Sequence, residues 1–310
     1  MPMISYAQNR EDVLLNRAFP APVGSYIDVG AAHPVSHSVT KWFYDRGWSG
    51  VNVEPHRGFY DALMADRPRD VNLNVALTDA PGEVTYYEVP GCVGWATTDE
   101  GSAERLRAGG QEVVPRTVPA LTLAEVCERY VRGPIEFLKI DVEGAERAVL
   151  AGGDFRRWRP RVLLIEATEP SRPTPNHGRW EDLVLAADYR FAGFDGLNRY
   201  YVRAEDEPLA EKFRVPVNVF DDYVPAELVA ARQEAERAVA ELRGELEQAR
   251  GRAAELERLV ERVRRAYTAL RDDVAANTVA RPAYEAAVKM LGQARSDLAA
   301  LREEVFGPAG

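Results

Sequence analysis

Cysteine, long apolar runs and positive charge are what this 310-residue chain has little of. Its two cysteines, Cys92 and Cys127, cannot build a disulfide framework, and neither sits at a metal-binding or redox spacing. That points to a reducing compartment. No window approaches the ~18 consecutive apolar residues of a spanning helix, so no transmembrane segment is expected. The opening MPMISYAQNRED turns polar before an apolar stretch of signal-peptide length develops, and a cytoplasmic setting is expected. Lysine and arginine total 39 against 49 acidic residues, net −10, so the basic footprint of a nucleic-acid binder is missing. What is there is an ordinary globular composition, 46% hydrophobic and 28% charged, with ample material for a core.

The charge divides unevenly at Pro225. Residues 226–310 hold 15 acidic and 14 basic side chains, net −1, which leaves 34 against 25, net −9, for residues 1–225. Residues 1–225 alternate short β-branched runs with amphipathic stretches, the pattern of an α/β doubly wound parallel sheet covered by helices. Strands are expected at Ser25–Val29, Gly50–Val53, Val71–Val75, Val84–Val89, Ile135–Ile140 and Val162–Glu166, and a helix at Val39–Arg46. A closing hairpin is expected from Arg190–Phe194 and Asn198–Val202, joined through Asp195 and Gly196.

Beyond Pro225 the composition shifts to Ala, Arg, Glu and Leu. Val239, Leu246, Ala253, Val260, Tyr267 and Val274 interleave with Leu242, Ala249, Leu256, Val263, Leu270 and Asn277, a heptad repeat that reads as a coiled coil. At 1.5 Å per residue its helix runs roughly 80 Å. Pro282 ends this helix or starts the next, where Tyr284, Leu291, Leu298 and Val305 recur at heptad spacing. The second helix is expected to fold back on the first or to continue a bundle. Residues 226–310 are therefore expected to form an oligomerisation region, with homo-oligomers as the simplest outcome.

The strongest local signal is SYIDVGAAHP, Ser25–Pro34, followed by WSGVNVEP, Trp48–Pro55. A buried strand ends at Asp28, and Gly30 lets the backbone approach a ligand. Glu54 ends the next strand, 26 residues after Asp28. An acid placed there in a doubly wound sheet can accept both ribose hydroxyl protons, so a nucleoside is expected. The loop GAAHPV has one glycine where a pyrophosphate cradle uses three, which disfavours a dinucleotide. S-adenosylmethionine has ribose and adenine but no phosphate, and its sulfonium suits the acids Asp28, Glu54 and Asp141.

With these residues in hand, the chain resembles the FkbM-type S-adenosylmethionine-dependent methyltransferases. The resemblance rests on SYAQNREDVLLNRAF, YIDVGAAHP with Glu54-Pro55, NVALTDAPGEVTYY and FLKIDVEGAE, and spans roughly Ser5 to Val202. It implies a Rossmann-like class I methyltransferase sheet, with the coiled coil outside it. By position it implies that Asp28, Gly30, Ala31 and His33 surround the methionine part of the cofactor. Glu54 would hold the ribose, Val75-Ala76 would border the adenine, and Gln8 and Asp12 would lie over the cofactor.

An unactivated sugar hydroxyl barely ionises near neutral pH, so methyl transfer to it needs a base or a metal. Asp141 and Glu143 follow the strand FLKI, and Glu166 ends the strand VLLIE. The layout resembles metal-assisted sugar O-methyltransferases, which makes Asp141 and Glu166 ligand candidates for Mg2+ or another divalent metal, and Glu143 the base candidate. Ala167 stands where a second ligand carboxylate is expected. His177, in the loop Glu169–Trp180, is the alternative base. Trp95 and Thr97 in the turn-rich segment Gly91–Gly110, with Asn198 and Arg199 on the hairpin, are the candidates for binding the acceptor.

These residues point to an O-methyltransferase acting on a carbohydrate or glycan hydroxyl. A polyketide or other natural-product hydroxyl is an alternative acceptor. An NAD-type oxidoreductase competes on the same fold, and a non-catalytic coiled-coil scaffold competes from another class. The tail also suggests a spacer towards a glycan-assembly partner.

Overall fold

The computed structural model describes residues 2–169, 172–276 and 281–306. The chain separates into two compact units, Met1–Glu227 and Leu228–Gly310.

The first unit is built on a seven-stranded sheet. Its spatial order is Tyr189–Phe194, Asn198–Arg203, Val162–Glu166, Phe137–Ile140, Ser25–Val29, Ser49–Val53, Val71–Leu73. The five strands from Val162–Glu166 onward are parallel, and the two hairpin strands are antiparallel. The chain moves outward from Ser25–Val29 through two strands, then returns to place Phe137–Ile140 on the other side. That reversal puts a topological switch point between Ser25–Val29 and Phe137–Ile140, where open α/β sheets bind ligands. The doubly wound sheet expected from the residue pattern is present, with strand ends shifted by a residue or two.

Alternation along the central strands fills both faces, as strands buried on both sides require. Ile27, Val29, Leu138, Ile140, Leu163 and Ile165 pack on one face with Val149, Leu150, Trp180 and Val184. Tyr26, Phe137, Val162 and Leu164 pack on the other with Leu14, Leu15, Phe43 and Trp48. The N-terminal strand Met3–Ser5 pairs in parallel with Tyr223–Pro225, which ties both ends of the unit together.

Two expectations need correction. The segment expected as Val84–Val89 forms Gly82–Glu88, but in a separate three-stranded sheet with Ala76–Leu77 and Val114–Leu121. Val114–Leu121 was not expected, because Pro115 and Pro119 read against a strand. The helix expected at Val39–Arg46 is only Lys41–Asp45. The residues before it form a loop pinned by the buried Arg67, which donates to the Pro34 carbonyl and, at 3.0 Å, to Ser38 Oγ.

The second unit consists of the helices Ala226–Ala275, whose first two residues belong to the first unit, and Arg281–Phe306. Tyr267 stacks on Tyr284 with ring centroids 5.4 Å apart, and their hydroxyls lie 2.6 Å apart. The second helix therefore folds back on the first. Ala253 on the first and Ala294 on the second are buried. Asn277 lies outside the described residues. Among the described residues no helix is long and apolar enough to cross a membrane.

Candidate functional site

A cavity of about 400 Å³ opens at the carboxyl ends of the parallel strands, beside the switch point. Gly30 ends the first strand with φ +74, and a Cβ there would lie 1.8 Å from the Asp141 carbonyl oxygen. Only glycine allows the two strand ends to approach this closely. Gly30 and Ala31 both donate to the Val53 carbonyl, and Asp141 N donates to Val29 O, so three strand ends are laced together. Ala32, His37 and Glu143, which also line the cavity, have φ between 50 and 59. Such backbone is uncommon outside glycine and concentrates at functional sites.

Glu54 faces the cavity from the end of Ser49–Val53. Its Oε2 accepts from Ala32 N at 2.8 Å and its Oε1 from His56 N at 2.7 Å. Burial pushes its carboxyl up to about 7, against the lowering effect of those two bonds and of Lys139. Each oxygen keeps a lone pair for a ligand hydroxyl. His33 Nδ1 accepts from Val35 N and Ser36 N, which leaves Nε2 as the ring nitrogen free to meet a ligand. Val75, Ala76, Leu77, Phe59 and Tyr86 supply the apolar wall, and Gln8 and Thr97 complete the lining.

Lys139 was not expected in the site. It lies in mid-strand, pairs across the sheet with Asp28, and its Nζ donates to Gly30 O at 2.7 Å. The same Nζ is 3.3 Å from Asp28 and 3.4 Å from Asp141. Burial works to lower its pKa, but the two carboxylates outweigh burial and hold it above the ordinary lysine value. Asp28 also accepts from Thr40 Oγ1 at 2.9 Å. Asp28 therefore stands behind the cavity wall and positions Lys139, which does line the cavity.

Asp141, Glu143 and Glu166 each bring one oxygen within 4.8 Å of the others. Glu143 Oε2 and Glu166 Oε2 are buried without a hydrogen-bond partner among the described residues. Burial first, and the charge of Asp141 second, hold both carboxyls well above the usual range. Asp141 and Glu143 line the cavity.

The structure does not bring the remaining candidates to this cavity. His177 lies in a short turn, 4.0 Å from Glu181. Asn198 is buried and donates to Glu11 and Asp195, bracing the first helix against the hairpin. Arg199 pairs with Glu181 and lies over Phe191. Asp12 accepts from Ser5 Oγ and Tyr6 N, so it shapes the N-terminal turn beneath Gln8. Trp95 lines a second cleft, together with Arg105, Glu169 and Arg172.

No curated protein matches this chain. Among solved structures, a TehB-like SAM-dependent methyltransferase from Corynebacterium glutamicum ATCC 13032 Kitasato is 9% identical. The match covers 62% of this chain and 87% of that one, with a TM-score of 0.35. The profile of the methyltransferase FkbM domain matches residues 28–191, more than half of the chain, from Asp28 through every strand end around the cavity. The chain belongs to the FkbM methyltransferase family.

Proposed function

We propose that the chain transfers the methyl group of S-adenosylmethionine to a saccharide hydroxyl, free, glycosidic or within a glycan. The observation that carries this reading is Glu54, a buried carboxylate held by two backbone N–H groups at the rim of a cavity lined by Lys139, Asp141 and Glu143. Such a cavity suits a ribose and a cation, and its loop, with one glycine, lacks the cradle a pyrophosphate needs.

S-adenosylmethionine, when bound, supplies a methyl carbon made electrophilic by its sulfonium. Glu54 would hold the ribose hydroxyls, and Gly30, Ala31 and His33 the methionine portion. Val75 and Ala76 would border the adenine, with Gln8 covering the rim. Lys139 pairs with Asp28 and Asp141 and fixes the Gly30 carbonyl, so the loop stays shaped for the cofactor. Glu143 would accept the acceptor's hydroxyl proton as the acceptor oxygen bonds to the methyl carbon, the carbon–sulfur bond breaks and the demethylated thioether leaves; its unpartnered Oε2 and raised proton affinity suit a general base. Thr97, whose Oγ1 donates to the neighbouring Val142 carbonyl at 3.4 Å, would face the acceptor. The same oxygens fit a magnesium-like cation, with Asp141 and Glu166 as ligands. Such an ion would lower the proton affinity of an acceptor hydroxyl.

The helical extension would join two copies of the chain. Leu228, Val239, Leu242 and Leu246 remain 37–63% exposed on the part of the first helix that the second does not cover. An apolar heptad seam of this kind pairs readily with its own copy. Spacing active sites along a growing glycan, beside a glycan-assembly partner in the cytoplasm, would follow from such an assembly.

The test is calorimetry with S-adenosylmethionine and with NAD, followed by a saccharide panel read by mass spectrometry for the gain of one methylene. Binding of S-adenosylmethionine alone, with methylation that drops roughly 100-fold or more in Glu143→Gln, supports the reading. Binding of NAD alone, or undiminished turnover by Glu143→Gln, refutes it.

A further inference from the structure

The second cleft, about 320 Å³, is lined by Trp95, Arg105, Gln111, Glu169, Arg172 and Thr174 among others. It shares a wall with the cofactor cavity. Gly94 and Ala96–Thr98 face the cavity, while Trp95 and Ser102 face the cleft. Ser102 also abuts the turn that carries Glu143: a Cβ on Gly144 would lie 2.3 Å from Ser102 Oγ.

Two groups in this cleft lack partners. The half-buried Trp95 ring has no aromatic, cation or hydrogen-bond partner among the described residues. The exposed Arg172, whose backbone pairs with Glu169, likewise makes no side-chain hydrogen bond or ion pair among them. The other charges are balanced. Arg105 Nε lies 3.1 Å from Glu169 and its Nη2 lies 3.6 Å from Asp99, while Arg179 pairs with the other Glu169 oxygen. Among the described residues the cleft therefore carries one guanidinium without a partner, Arg172, and one open indole, Trp95, and it borders the segment Gly94–Thr98 that also lines the cavity of Asp141 and Glu143.

Resting on the methyltransferase reading above, we infer that this cleft is the acceptor subsite and that it takes a saccharide bearing an anionic substituent, a carboxylate or a phosphate. The indole offers a flat apolar surface for the C–H face of a sugar ring, and Gln111 and Thr174 offer hydroxyl partners. Arg172 offers a planar, bidentate site for the anion. The carboxylates of the neighbouring cavity repel that same anion, so the two charges together orient the acceptor: anion towards Arg172, reacting hydroxyl towards Glu143.

The experiment uses the full chain and matched pairs of acceptors. One pair is a hexuronic-acid glycoside and its carboxyl-reduced counterpart; the other is a sugar phosphate and the same sugar without phosphate. Initial rates give kcat/KM for each member, and an array of the same saccharides reads binding without turnover. The expected result is a preference of roughly 10- to 100-fold for the charged member of at least one pair, the range of a charge-assisted hydrogen-bonded contact. Which pair shows it distinguishes carboxylate from phosphate. In Arg172→Gln the preference collapses towards unity through a rise in KM. Binding of S-adenosylmethionine shows that the variant is folded. Trp95→Leu weakens both members of a pair. Equal rates within both pairs, or a preference that survives Arg172→Gln, overturns the inference and leaves saccharide methylation standing. If no saccharide is bound or methylated by a chain that binds S-adenosylmethionine, the carbohydrate reading falls, and this inference with it.

Discussion

The α/β unit and the helical extension treat charge in opposite ways. The first buries Glu11, Asp28, Glu54, Arg67, Lys139 and Glu146, each held by hydrogen bonds, Glu146 by one from Gly144 N at 2.9 Å. In the extension the ion pairs are exposed and local, such as Arg232–Glu236 at 2.9 Å and Arg265–Glu261 at 3.2 Å. Exposed helical pairs of this kind contribute about 0.3–0.5 kcal/mol each, whereas breaking a buried pair costs about 3–5 kcal/mol. The catalytic unit therefore depends on a few atoms that cannot be exchanged. The extension depends on many small increments, and its side chains can drift as long as the heptad stays apolar.

A single substitution type, glycine to alanine, exposes this contrast, and its largest effect is expected at Gly30. A Cβ there meets the Asp141 carbonyl at 1.8 Å, and φ is +74. The left-handed backbone alone costs roughly 1–2 kcal/mol, and the obstacle is main chain, which cannot rotate away. Gly30→Ala is expected to abolish binding of S-adenosylmethionine and to lower the melting temperature sharply. Retained affinity in calorimetry would mean that the strand ends are less tightly laced than their geometry implies.

The next effect is one of pH. Glu11 and Glu54 are both pushed from 4.5 up to about 7, mainly by burial. A carboxyl with a raised folded-state pKa binds its proton more tightly folded than unfolded, so its stabilisation is complete below 4.5 and is lost as pH rises through about 7. At about 1.4 kcal/mol per tenfold change in proton affinity, each group contributes on the order of 3 kcal/mol. Glu205 does not interfere, because the hydrogen bond from Arg159 holds it down at about 2 and its own window lies at lower pH. The ligand-free chain should melt at a lower temperature at about pH 8 than at about pH 5. Glu11→Gln should remove part of that slope without touching the cavity. A melting temperature that is flat or rising across this range would contradict the assignment.

These buried charges also mark where the sequence stops being legible. Asp28, Gly30 and Glu54 could be found because each breaks the apolar pattern at or just past the end of a strand. Lys139 breaks a pattern too, but its partners Asp28 and Gly30 stand some 110 residues away, and only the pairing of their strands brings them together. Asn198 and Arg199 lie at the right end of the right strand. Whether each side chain turns towards a cavity or a brace depends on register and neighbours, and Glu11 and Glu181 claim them. Val114–Leu121 was hidden by its prolines, which the ladder tolerates there. In the extension, the seam residues could be read from the heptads, whereas the fold-back rests on a contact between Tyr267 and Tyr284 that spacing alone does not distinguish from a longer bundle.

The smallest effect carries the opposite sign. Gly244 and Gly251 lie within the long helix, seven residues apart, and a Cβ on either would meet nothing within 4 Å. In the heptad of Val239, Leu242 and Leu246 both fall on the outer face, away from the seam, so adding a methyl group disturbs neither the fold-back nor the proposed pairing with a second copy. Alanine reduces the freedom of the unfolded chain and suits the helix by about 0.5–1 kcal/mol per site relative to glycine. Gly244→Ala with Gly251→Ala is therefore expected to raise the thermal stability of the helices, followed by far-ultraviolet circular dichroism, and to leave binding of S-adenosylmethionine where it was. Should the double variant lose stability, or lose affinity for the cofactor, the outer face would be in use by something, and the separation between a unit of fixed atoms and one of interchangeable increments would fail at that point.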